Sequence, residues 1–169
     1  ASSRYLRLIS LLVLSYGVVI VLIEAVWKSQ IKVLQKLGGG GTKIITDIYA
    51  SEVFLIGITS VILIAFSSKI ISYSWRVGAL FTPILASILG AIFFSFMLFG
   101  RNMSFIQSSL GISSVLLAVL VGMAQVILIK STKYTLFDPT KESAYIPLDQ
   151  ESKVKGKAAV DAIGGRLGK

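Results

Sequence analysis

The chain has 169 residues, 54% of them hydrophobic and only 15% charged, with a mean hydropathy of +0.83. That balance excludes an ordinary soluble domain, whose surface must be largely polar. The net charge is +9, with no cysteine and no histidine, which excludes disulfides, thiolate or imidazole metal ligands and any Ser-His-Asp triad within the chain.

Charge gathers between apolar runs, as it does in an integral membrane protein. No basic, aromatic-bearing soluble fold is left over to bind nucleic acid. Four runs reach the roughly 20 apolar residues that cross a bilayer: about residues 8–27, 53–71, 77–99 and 110–129. Runs this long satisfy their backbone internally as helices, and the strict alternation of barrel strands is absent. The first run is too long for a secretory signal and has no small-residue cleavage site after it.

Between the first two runs, Lys28, Lys32 and Lys36 recur at four-residue spacing. The first helix is therefore expected to continue past the bilayer until glycines 38–41 break it. The next two links are short, holding Lys69 and Arg76, then Arg101. Counting lysine and arginine in the flanks puts the N-terminal flank, the Lys69/Arg76 link and the lysine-rich tail on the more basic side, which predicts that side to be cytoplasmic. Residues 131–152 read as a cytoplasmic loop with a short helix. In it Asp138 serves as N-cap and Pro139 as first-turn residue, and the helix ends before Pro147. Asp149 caps a second helix that starts a fifth membrane segment over 153–169. Its small residues, with Gly164 and Gly168 spaced as GxxxG, suit close packing in a bundle. The chain reads as a piece of something longer.

Few residues offer chemistry. Glu24 lies inside the first run, where an acid costs about 2.5–3.5 kcal/mol on insertion scales. Either it serves a function, or it is an interfacial pair with Lys28, four residues on in the favourable order. Tyr16, two turns earlier, is expected to line the same cavity. Lys153, Lys155 and Lys157 read as a solvated, topology-setting run. Arg166 and Lys169 follow the small-residue stretch, where a cation must face a cavity, a partner or an anion, and phosphate suits such a point charge. The glycine-rich stretches 38–43 and 164–169 are not P-loops: neither has the full spacing, and neither follows a strand. Asn102-Met103-Ser104 matches a glycosylation sequon by a short pattern that chance often produces. Tyr134, Phe137 and Tyr145 read as interface anchors.

The run FDPTKESAYIPLDQESKVKGKAAVDAIGGRLGK, residues 137–169, resembles the signature of the non-mitochondrial ATP/ADP translocases of plastids, chlamydiae and rickettsiae. YG…IEAVWKSQIK, residues 16–32, is similar to that family's seventh membrane helix, and WRVGALFTP, residues 75–83, to the start of its ninth. Ser143 stands where the family usually carries methionine. The resemblance implies an all-α integral membrane protein: helices seven to ten and the start of eleven of a major-facilitator-like twelve-helix transporter. It implies ATP/ADP exchange in a bacterial inner membrane or plastid inner envelope. ATP and ADP would be substrates, there would be no cofactor and no enzymatic step, and the N-terminal half of the same transporter and the lipid bilayer would be partners. It maps the family's transport-critical acid onto Glu24 and its lysine onto Lys169; Arg166, read from its own position, is expected to help that lysine bind nucleotide phosphates. Nucleotide–proton symport, or carriage of another nucleotide, is the alternative within the family. A membrane-embedded enzyme acting on a phosphorylated substrate, and a ligand-free structural module, are the alternatives outside it.

Overall fold

A computed structural model describes residues 2–37, 41–99, 111, 113–148, 150–151 and 153–158. The expectations resting on Gly38, Arg101, the sequon, Asp149, Gly164, Arg166, Gly168 and Lys169 fall outside those residues. Among the described residues the regular structure is entirely helical. Helix α1 spans Ser2–Lys36, α2 Gly41–Tyr73, α3 Trp75–Phe99 and α4 Ser114–Thr132. A π-helical turn, Lys133–Phe137, then leads without a break into α5, Asp138–Ser143. All four long helices are long and apolar enough to cross a membrane.

Helix α1 has 35 residues, about 52 Å at 1.5 Å per residue, against about 30 Å of hydrocarbon. It runs on through Lys28 and Lys32 to Lys36, as their spacing predicts. Its buried stripe is Ile9, Tyr16, Ile23, Trp27 and Ile31, positions seven or four apart that share one face. Helix α2 begins at Gly41, whose φ of 64° favours a residue without Cβ. A single residue, Ser74, separates α2 from α3.

Helix α4 lies at the centre, touching α1, α2 and α3. Contacts fix its direction. Tyr5 Oη donates to Ala144 O (2.9 Å) and Trp27 Nε1 to Val119 O (3.0 Å), so α1 runs antiparallel to α4 and α5. Trp75 Nε1 donates to Thr140 O (3.1 Å) and Thr82 Oγ1 to Thr132 O (3.2 Å), so α3 does too. The outer faces of α2 and α3 remain apolar and exposed, with Phe54, Val61 and Phe66 on one and Leu80, Ile84 and Ile88 on the other.

The expected cytoplasmic loop from 131 is instead a continuation of α4 through Phe137 into α5. Asp138 does not cap a new helix. It has helical dihedrals, and its carboxylate lies 2.8 Å from Lys133 Nζ. The cause is Pro139, which lacks an N–H and collides with the carbonyl four residues back in an ordinary helix. One wide turn, with the Asp138 N–H bonded to Lys133 O, passes the proline without ending the helix. Hydroxyls satisfy carbonyls around the turn: Thr132 Oγ1 donates to Leu128 O (2.8 Å) and Thr135 Oγ1 to Ser131 O (2.8 Å). In an apolar layer no water is present to do this. Phe137 and Tyr145, read as interface anchors, are core residues, whereas Tyr134 is exposed. Residues 153–158 are helical, and Gly156 sits against Leu6 of α1. Lys155 pairs with Glu151 (2.6 Å) and Lys157 with Glu142 (2.6 Å), as part of a solvated charge run.

Close packing depends on Gly122 of α4. A Cβ there would collide with the Trp27 ring and come within 3.0 Å of Phe93 Cε2. Gly122→Ala is expected to cost about 1–3 kcal/mol, the usual range for overpacking a full core, read as a fall in melting temperature in detergent. An unchanged value would show that α1 and α3 part freely at this level.

Candidate functional site

Glu24 projects from the edge of the buried stripe of α1, next to Ile23. Its two oxygens have different partners: Oε2 lies 3.0 Å from Lys28 Nζ one turn on, and Oε1 lies 3.2 Å from Lys130 Nζ on α4. The Lys130 ammonium also reaches Glu52 Oε1 on α2, at 2.8 Å. The pair with Lys28 expected for Glu24 is present, as the exposed outer edge of a larger cluster. Side-chain exposure falls from 47% at Lys28 to 21% at Glu24 and Lys130 and 6% at Glu52.

Two acids and two lysines make the cluster neutral, and it joins α1, α2 and α4. Lys130 stands near the middle of the continuous helical stretch Ser114–Ser143, well away from both its ends. Next to it opens a small crevice lined by Ile20, Ile23, Glu24, Val126, Ile129 and Lys130. Buried charge of this kind is tolerated when it is paired, and within membrane helices it marks pathways for ions and charged solutes. Below the cluster Gln125 is 3% exposed, and its amide has no hydrogen-bond partner among the described residues.

Tyr16 does not share this crevice. Eight residues from Glu24, it is turned about 80° away around the helix. It is buried in the core, with its hydroxyl 3.4 Å from Ile129 O and its ring 4.7 Å from that of Phe137. Arg166 and Lys169 lie outside the described residues. Lys130 and Glu52 escape sequence reading because they stand just beyond apolar runs, where charges normally set topology. The usable signal is that Lys130 is followed by STKYTLF, which extends a helix and does not close it. Among the described residues no acidic group of three or more is placed to hold a metal ion.

A bundle of four long apolar helices, three of them joined by a paired ion cluster, defines a polytopic helical membrane protein. The chain belongs to the TLC ATP/ADP transporter family, whose pattern it matches over residues 1–169. It is 44% identical over 171 residues to ADP,ATP carrier protein 1 of Chlamydia pneumoniae, covering 100% of this chain and 32% of that protein. It is 43% identical to ADP,ATP carrier protein 1 of Rickettsia prowazekii, covering 99% of this chain and 33% of that one. With the chloroplastic ADP,ATP carrier protein 2 of Arabidopsis thaliana the identity is 40%, over 99% and 27%. The chain spans about a third of the length of the curated bacterial relatives it matches. No solved structure matches it significantly.

Proposed function

We propose that this chain is part of a transporter that exchanges ATP for ADP across a membrane by alternating access. Family membership supports this, as do relatives that bear the name ADP,ATP carrier. The single observation that carries it into this chain is the paired ion cluster around Glu24, which joins three long apolar helices. A carrier of polyanions needs cations inside the apolar layer, and those cations need a partner when no anion is bound.

In this reading the chain supplies helices seven to ten and the start of eleven of a twelve-helix, major-facilitator-like protein. The N-terminal half completes the site, and lipid covers the outer faces of α2 and α3. Substrate sites of such carriers lie near the bilayer midplane, between two halves. Lys169 and Arg166 bind nucleotide phosphates there. Glu24 offsets positive charge when the site is empty. The end that carries Arg4, Lys69, Arg76 and the tail faces the cytoplasm. The membrane is a bacterial inner membrane or a plastid inner envelope. No cofactor takes part, no bond is made or broken, and nucleotide leaves unhydrolysed. Exchange is obligatory because reorienting a cavity with unneutralised cations is costly.

The test is counter-exchange by the full-length protein in liposomes. Uptake of labelled ATP is expected into vesicles preloaded with ADP, and about tenfold less into empty ones. Equal uptake into both would contradict obligatory exchange. Release of inorganic phosphate in step with uptake would replace the carrier by an enzyme.

A further inference from the structure

We propose that Lys130 is a phosphate-binding cation of the transport site, held by Glu24 and Glu52 until nucleotide phosphates displace them. The inference rests on reading the protein as a nucleotide carrier.

Placement within a continuous helix is the first support. Lys130 lies near the centre of the Ser114–Ser143 helical stretch, with helix continuing for several turns on both sides of it. The second is the grip. Acids from two other helices hold its ammonium, Glu52 at 2.8 Å and Glu24 at 3.2 Å. The third is the way the cluster divides. Glu24 keeps Lys28 at 3.0 Å on its other oxygen, so it stays paired when Lys130 turns away. Access is the fourth. The Lys130 side chain is 21% exposed, against 6% for Glu52.

An ammonium has three donors and a flexible four-carbon stem, and it binds phosphate as a point charge. Carboxylate and phosphate oxygens compete for those same donors. An empty site therefore keeps Lys130 neutralised, and a polyphosphate that reaches the ammonium exchanges places with the carboxylates. Glu52, almost wholly buried, is the positioning residue: it holds the ammonium at this level and sets how much binding energy nucleotide spends in displacing it.

The competition gives opposite signs for two substitutions, which a simple clamp between helices would not. In the full-length protein, Lys130→Gln is expected to raise the ADP concentration for half-maximal exchange about tenfold or more, the scale of one lost charge-assisted contact. It should also abolish most of the rise in melting temperature that ADP produces. Glu52→Gln removes the competitor and is expected to lower that concentration several-fold, with slower turnover because product leaves late. If Lys130→Gln does not fold, Lys130→Arg keeps the charge and is expected to retain ADP stabilisation, while Glu52→Gln still reads the competition. Unchanged half-saturation in Lys130→Gln, or weaker ADP binding in Glu52→Gln, would overturn the proposal even where the wild-type protein exchanges normally. A wild-type protein with neither exchange nor stabilisation by ADP would instead overturn the carrier reading on which it stands.

Discussion

Trp27→Ala is expected to lower stability by about 3–5 kcal/mol, the range for deleting a buried tryptophan from a packed core. Trp27 is fully buried between α1 and α4. Its ring fills the space opposite Gly122, stands edge-on to Tyr49 with centroids 5.9 Å apart, and donates its N–H to Val119 O. Truncation removes the ring contacts and leaves that bond unmade. Trp27→Phe keeps most of the volume and should lose only about 1–2 kcal/mol, the value of one buried hydrogen bond with some packing. Thermal unfolding in detergent ranks the three proteins. Equal melting temperatures for wild type and Trp27→Ala would mean that this contact does not hold α1 to α4.

The second large effect concerns the ion cluster as a structural element. Lys130→Met leaves Glu52 without its cation in a site that is almost fully buried. Breaking one side of a buried pair costs about 3–5 kcal/mol, because a charge is left uncompensated. Adding Glu52→Leu to Lys130→Met removes the stranded charge, and stability is expected to return close to the wild-type value. Glu24 tolerates both changes because Lys28 remains beside it. The double variant should nevertheless stay deficient in nucleotide response, since stability and phosphate binding are separate demands on the same lysine. A double variant no more stable than Lys130→Met would show that the pair is not coupled.

The parts legible from sequence are those that depend on one helix at a time. Four apolar runs of spanning length predict four helices, and the first three each fall within one; the fourth, 110–129, becomes helical only at Ser114, with Gly111 and Ser113 outside the helix. The four-residue spacing of Lys28, Lys32 and Lys36 predicts the extension of α1. What sequence reading misses depends on tertiary context. Asp138-Pro139 carries the local signature of a helix start, yet a π-helical turn lets the helix pass it, with Thr132 and Thr135 satisfying nearby carbonyls. A fourth run that ends at 129 leaves Lys130 just beyond it, and a second that starts at 53 leaves Glu52 just before it. Their meeting with Glu24 joins residues from three helices, and no local pattern in the chain encodes it. Glu24 stood out because an acid within a long apolar run is conspicuous without any partner. Tyr16 lies with the buried stripe and Glu24 at its edge, a difference that spacing alone does not resolve, and the Tyr16 hydroxyl finds Ile129 O in the core.

These observations converge on Glu24 as the hinge between structure and transport. It belongs to the buried cluster, and it is the acid to which the family resemblance assigns a role in transport. Glu24→Gln keeps its size and removes its charge, so the packing of α1 should survive. The most direct measurement is uptake of labelled ATP by ADP-loaded liposomes that contain equal amounts of folded full-length wild-type or Glu24→Gln protein. A fall in exchange rate of about a hundredfold, roughly 2.7 kcal/mol on the barrier, is expected, with little change in melting temperature. Wild-type exchange rates in Glu24→Gln would contradict the account at its centre.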